Sequence, residues 1–229
     1  METNQVIYDL SHEELINKFT SIRSNDIYLF SNVFSNDMCN KLIDHVKKNA
    51  EDKLELGPNQ NVQAYEDILQ FENPLFKPIS SKIIDIGKFI NKKYHIPVGT
   101  QLADALKVNV LEEIRVRKIY GPTRIHCDSL ICAPPERCSC WRATSAPSTS
   151  ILTAGDTMIS VKTLRSLSII IALNGDYDGG ELVFPCQNFK TKLKQGEAII
   201  FPPYWTHPHY TEDLKNNTFR YTISTWLSI

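Results

Sequence analysis

The chain lacks any C-x-x-C pair: its cysteines fall at 39, 127, 132, 138, 140 and 186. Neither a zinc ribbon nor a disulfide framework is indicated, and reduced thiols are the default. An excess of charge of one sign is also absent. With 25 basic and 26 acidic residues the net charge is −1, which gives no broad attraction to nucleic acid or to an anionic membrane. The opening METNQVIYDLSHEEL has neither the basic start nor the apolar core that targets secretion, and no apolar run approaches membrane-spanning length. The expectation is an intracellular, cytoplasmic protein. In that setting the sequon Asn216-Asn217-Thr218 carries little weight. No internal repeat is evident.

What is present suits a globular chain. At 229 residues and 42% hydrophobic content, one substantial core is affordable and a single domain over 1–229 is expected. Residues 1–100 read as helical support. Ser11-x-x-Glu14 is a capping box ahead of a short amphipathic helix, and Ile27 to Phe34 reads as a strand. Ser35 caps a helix over Asn36 to Lys48, and a longer helix from Pro78 to Tyr94 carries Ile79, Ile83, Ile86 and Ile90 on one stripe. Over 101–229 the texture becomes β-rich: Ile114–Tyr120, Leu164–Leu173, Glu181–Phe184, Ala198–Phe201 and Arg220–Leu227, separated by turn signals such as Asp178-Gly179-Gly180. The class is α+β, with an antiparallel double-sheet core. Residues 129–162, rich in Pro, Ser and Cys, form a long insertion of the kind that serves as a mobile lid or stays disordered.

The chemistry-bearing stretch is Arg124-Ile-His-Cys-Asp-Ser-Leu130. Along a strand, residues i and i+2 share a face, so His126 and Asp128 can converge. His207 and His209 follow the Ala198–Phe201 strand in FPPYWTHPHY. Two histidines and one carboxylate form the facial triad of non-haem Fe(II) oxygenases, which leaves coordination positions open. H-x-D alone is a weak signal. Arg220, eleven residues beyond His209 on the last strand, strengthens it, because a buried guanidinium can bind a carboxylate through two parallel hydrogen bonds.

Taken together, H-x-D, then DGGELVFP (178–185), GEAIIFPPYWTHPH (196–209) and FRYTISTW (219–226) resemble the 2-oxoglutarate and Fe(II)-dependent dioxygenases of the prolyl 4-hydroxylase type. The order matches from about Ile114 to the C-terminus. The resemblance implies a double-stranded β-helix, or jelly-roll, core with supporting N-terminal helices. It implies Fe(II) held by His126, Asp128 and a later histidine, and 2-oxoglutarate held by Arg220. O₂ would be the oxidant, ascorbate an accessory reductant, and succinate and CO₂ the products of hydroxylating an unactivated C–H bond. A protein or peptide substrate, first of all a peptidyl proline, is implied. Counting back from Arg220, His209 fits the family spacing with one inserted residue in TEDLKNN and is preferred to His207. The usual P-V-x-x-G before the basic residue is replaced by DLKNNTF, so the turn must differ. Tyr120 resembles a tyrosine that assists cosubstrate binding in some relatives, against the plainer reading of a strand aromatic.

Other residues have ordinary readings. Gly179-Gly180 supplies a tight turn, Cys127 points away from its neighbours, and Arg115, Arg117 and Lys118 read as a solvated strand face. Cys132, Cys138 and Cys140 would need a fourth ligand to hold zinc. Two rival functions stay open: a jelly-roll metal-binding module without oxygenase activity, and a zinc hydrolase using the same ligands.

Overall fold

The structure, a computed structural model, describes residues 20–48, 54–56, 62–94, 111–128, 149–154, 157–162 and 165–228. Strands β1 (Thr20–Ser24) and β2 (Ile27–Ser31) form a hairpin, followed by α1 (Asn36–Lys48), β3 (Leu54–Leu56), β4 (Val62–Ile68) and α2 (Phe76–Tyr94). Strand β5 runs from Arg115 to His126, β6 from Thr149 to Ala154, β7 from Thr157 to Lys162 and β8 from Arg165 to Ala172. The chain ends with β9 (Asp178–Gly179), β10 (Leu182–Phe184), β11 (Phe189–Thr191), β12 (Ala198–Phe201), β13 (His209–Thr211), β14 (Leu214–Lys215) and β15 (Arg220–Ser228).

The main sheet has the order β1-β2-β12-β8-β15-β5-β13-β10-β11, with β4 added to β5 and β3 to β4. The long strand β5 is shared between two halves. Its first part, Arg115 to Ile119, pairs with β15, while Thr123 and His126 pair with β13. The sheet therefore curls into a jelly-roll, and β5 delivers its last residue to the inside of the curl.

Two cores follow from strand alternation. On β8, Ile169 and Ile171 point outward and join the helix-covered core, where Leu42 and Val46 of α1 and Ile79, Ile83, Ile86 and Ile90 of α2 are buried. Their neighbours Ile170 and Ala172 point inward, with Leu182, Phe184, Ile199 and Phe201. A strand covered on both faces carries a continuous apolar run, which is why Ser168-Ile-Ile-Ile-Ala-Leu173 reads as strand without alternation. Each fully buried isoleucine contributes about 1.5–3 kcal/mol. The helix starts are also legible: Ser35 Oγ accepts the Met38 N–H at 3.3 Å, and Pro78 sits in the first turn of α2, where a missing N–H costs nothing.

The expected α+β jelly-roll is observed, with two differences. Residues 1–100 are not helical support alone, since β1 to β4 join the main sheet. Strand β2 falls within the expected Ile27–Phe34 strand, whereas β1, β3 and β4 are short or polar runs that pairing with a neighbour, rather than intrinsic propensity, sets as strands. Within 129–162, β6 and β7 pair as a separate two-stranded sheet; residues 129–148, and with them the expected lid, lie outside the described residues. So does the expected helix after Ser11. Among the described residues no helix is long and apolar enough to cross a membrane.

Candidate metal centre

A bulge aims His126 inward. Strands β13 and β5 pair His209 with His126 and Thr211 with Thr123, so two steps on β13 oppose three on β5. The extra residue flips alternation, and His126 faces the same side as Thr123. The register is pinned by reciprocal bonds: the Thr211 N–H donates to Thr123 Oγ1 at 2.7 Å, and the Thr123 N–H to Thr211 Oγ1 at 3.0 Å. Contrary to the expectation from i, i+2 spacing, Asp128 is not on the strand. It lies in a bend past the end of β5, and the turn, not the pleat, brings its carboxylate back to His126.

That bend is held by a residue absent from the sequence reading. Arg165 Nη1 donates to the Asp128 carbonyl at 2.7 Å. The same guanidinium pairs with Glu112 through Nη2 at 2.7 Å and lies 3.8 Å over the Trp226 ring. Arginine's fixed fork allows all three contacts at once.

The ligand atoms of His126, Asp128 and His209 all lie within 4.8 Å of one another. His126 Nε2 is 3.5 Å and His209 Nε2 3.9 Å from Asp128 Oδ1. With metal–nitrogen and metal–oxygen bonds of about 2.1 Å, two ligands of one ion stand no more than about 4.2 Å apart, so both separations fit. The imidazoles are matched in tautomer. His126 Nδ1–H donates to the Arg124 carbonyl at 2.7 Å and His209 Nδ1–H to the His207 carbonyl at 3.1 Å, so both Nε2 atoms face the carboxylate, as N–H donors when the rings are protonated and as free lone pairs for a metal when they are neutral.

Burial of Asp128 opposes its ionisation, but the hydrogen bond from His126 and the charges of His209 and His126 outweigh it and hold the carboxyl well below the usual range. Burial also pushes the His209 imidazole down. At His126 burial acts the same way, yet the Asp128 hydrogen bond and charge win and raise it. The cluster is thus an anion with two imidazoles, a donor set suited to a divalent cation.

The Phe184 and Phe201 rings pack on His209, with centroids at 5.5 and 4.7 Å. Both belong to the inner core that also contains Ala172 and Leu182. The latter two line a small cavity with Tyr177, Gly180, Arg220 and Thr222. Arg220 is buried across from Ile119. Its Nη1 donates to the Gly180 carbonyl at 3.0 Å, whereas its Nε and the Thr222 Oγ1 have no hydrogen-bond partner. Among the described residues no carboxylate pairs with Arg220, and burial pushes its pKa down. The Gly179-Gly180 turn that presents this carbonyl has φ of 68° at both residues, a conformation that favours glycine.

His207 and Tyr120 are placed elsewhere. His207 closes a turn with Tyr204 (N–H to carbonyl, 2.9 Å) rather than running extended, and its Nε2 reaches the Asn25 carbonyl at 3.1 Å. The Tyr120 ring packs against Tyr65, with centroids 5.5 Å apart; alternation directs it to the face opposite Ile119, which is Arg220's neighbour across the strands. Arg115 and Arg117 are not a solvated face, because both pair with the buried carboxylate of Glu66. Cys127 is half-buried, and Cys132, Cys138 and Cys140 lie outside the described residues. The departure expected before Arg220 is a turn with Asn216 and Asn217 at φ of 54° and 52°, a left-handed pair that asparagine tolerates and that accommodates the longer count from His209.

No protein-family model and no curated protein sequence matches the chain. Solved structures do match in fold. The viral collagen prolyl hydroxylase of Paramecium bursaria chlorella virus-1, in its 2-oxoglutarate complex, superposes with a TM-score of 0.60 at 16% identity, covering 89% of this chain and 96% of its own. A Pseudomonas putida prolyl 4-hydroxylase gives 0.57 at 12% identity, covering 95% of this chain and 98% of its own. The Trichoplax adhaerens prolyl hydroxylase, bound to a peptide fragment of the hypoxia inducible factor oxygen degradation domain, gives 0.56 at 12%, covering 95% and 88%. The chain therefore shares the fold of the prolyl 4-hydroxylase structures.

Proposed function

We propose that the protein is an Fe(II)- and 2-oxoglutarate-dependent dioxygenase that hydroxylates an unactivated C–H bond. Its proposed substrate is a peptidyl proline or another protein side chain. The observation that carries this reading is Arg220. A buried guanidinium with one carbonyl partner and no acid is costly unless an anion joins it, and Thr222 Oγ1 offers a further donor in the same cavity. The dicarboxylate 2-oxoglutarate meets that need with its distal carboxylate. His126, Asp128 and His209 would hold the Fe(II), whose bound form supplies the redox chemistry coupling decarboxylation to hydroxylation. The chain's own part is to orient: Arg220 fixes the cosubstrate, the Nδ1–H donations fix both imidazoles, and Phe184 and Phe201 exclude water beside His209.

The peptide preference is supported by the Trichoplax prolyl hydroxylase, which is bound to a peptide fragment. A zinc hydrolase or a metal-binding module would leave the Arg220 cavity without a use. The test is anaerobic addition of Fe(II) and 2-oxoglutarate, which should give the weak visible charge-transfer band of a keto-acid chelate. A screen of peptides and metabolites read by succinate formation then identifies the substrate. Absence of the band with iron bound would sink the reading.

A further inference from the structure

Resting on the metal-centre reading above, we propose that His207 is a positioning residue for His209, tying the ring of the third ligand to the β1–β2 turn. His207 is buried, with 5% exposure. Both ring nitrogens are used: Nδ1 accepts from the Thr206 hydroxyl at 2.9 Å, and Nε2–H donates to the Asn25 carbonyl at 3.1 Å. No lone pair is left for a metal. Its own carbonyl accepts the His209 Nδ1–H at 3.1 Å. The two histidines therefore act in series, one imidazole anchored to a turn and its peptide carbonyl orienting the other.

The anchor is itself braced. Asn25 lies in the left-handed region with φ of 49°, as does Asp26 at 60°, which suits a two-residue hairpin turn. Asn25 Nδ2 donates to the Gln187 carbonyl at 3.3 Å, and Gln187 Nε2 donates to the Thr206 carbonyl at 2.8 Å. Three separate segments thus close a ring of contacts around the loop that carries His209. Pro208, between the two histidines, fixes its own φ and restricts His207, so displacement of the His207 peptide is passed to the His209 ring rather than absorbed. A carbonyl behind a ligating imidazole sets its tautomer and rotation, and disturbing such a partner costs about 10- to 100-fold in metal affinity.

The test compares His207→Leu, which keeps apolar volume but removes the donor, with His207→Gln, whose amide keeps a donor of similar reach. Co(II) is the probe, read by affinity and by its visible ligand-field band, and the melting temperature of each metal-free variant is recorded. His207→Leu should bind Co(II) about 10- to 100-fold more weakly, with an altered band, and His207→Gln should recover most of the loss. Thr206→Val, an exposed change that removes only the hydroxyl behind the His207 ring, should weaken binding in the same direction without unfolding the chain. Co(II) binding by His207→Leu and Thr206→Val equal to that of the parent overturns the proposal while leaving the metal centre intact. Complete loss in His207→Leu, matching His209→Ala, overturns it too, because His207 would then be a ligand. A parent chain that binds no Co(II) overturns the metal-centre reading and this inference with it.

Discussion

His209 stands directly across from His126 in the register of two antiparallel strands, and the two rings lie 4.4 Å apart at their centroids. Each donates Nδ1–H to the carbonyl two residues before it. Residues more than 80 positions apart in sequence are thereby presented as a matched pair, and the bend at Asp128 brings the third donor to the same point. The pairing depends on the bulge between Thr123 and His126, without which alternation would turn His126 to the other face.

Replacing His126, Asp128 or His209 by alanine should therefore remove Fe(II) or Co(II) binding altogether. That loss exceeds the about 10- to 100-fold expected when a group that only orients a ligand is changed. Iron content and succinate production of the three variants check this. Stoichiometric iron in any one of them would take that residue out of the ligand set.

Much of this was legible in the sequence because each part had a local signature. Asn36–Lys48 has a serine cap and helical spacing, and Ala198–Phe201 is a short apolar run between turn signals. What was hidden depended on non-local partners. The bulge in β5 shows only in its register with β13, and β4 joins the sheet because β5 offers an edge. Arg117 and Arg115 looked like a wet surface until Glu66, some fifty residues earlier, was placed beside them. The role of Arg165 depends on Glu112, Trp226 and the Asp128 carbonyl, none of them a sequence neighbour.

At Gly179, φ of 68° and the closeness of Asp213 combine: a Cβ there would sit 2.2 Å from the Asp213 carbonyl oxygen. Gly179→Ala should destabilise the fold by about 1–3 kcal/mol. The adjacent Gly180 carbonyl is displaced with it, so the 2-oxoglutarate requirement should rise as well. A urea midpoint and a cosubstrate titration measure the two effects. An unshifted midpoint would mean that β9 and β14 adjust freely around the turn.

Cys39 gives the pH dependence. Burial pushes its thiol from 9.0 up to about 11, so the folded state favours the protonated form. That contribution is complete below the unfolded value and is lost as pH rises through the folded one. Stability should fall across pH 9 to 11, and the fall should be shallower in Cys39→Ala. At pH 8 a thiol reagent should modify exposed Cys186 and spare Cys39 until the chain is unfolded. Rapid native labelling of Cys39 would contradict its burial.

Arg220 separates stability from function. A buried charge without a counter-ion is a cost to the empty protein, and replacing it with an apolar side chain of similar length is often neutral or stabilising. Arg220→Met should therefore melt at or above the temperature of the parent when no cosubstrate is present. With Fe(II) held and oxygen excluded, 2-oxoglutarate at one hundred times its dissociation constant should stabilise the parent by about 2.7 kcal/mol, and this gain should vanish in Arg220→Met. Arg220→Lys should respond in between, because an ammonium cannot make two parallel bonds to a carboxylate. Metal affinity should change little in either variant, since Arg220 is not one of the three proposed ligands. If Arg220→Met retained the full stabilisation by 2-oxoglutarate, the cosubstrate would bind elsewhere and the cavity beside Thr222 would lose its assigned role.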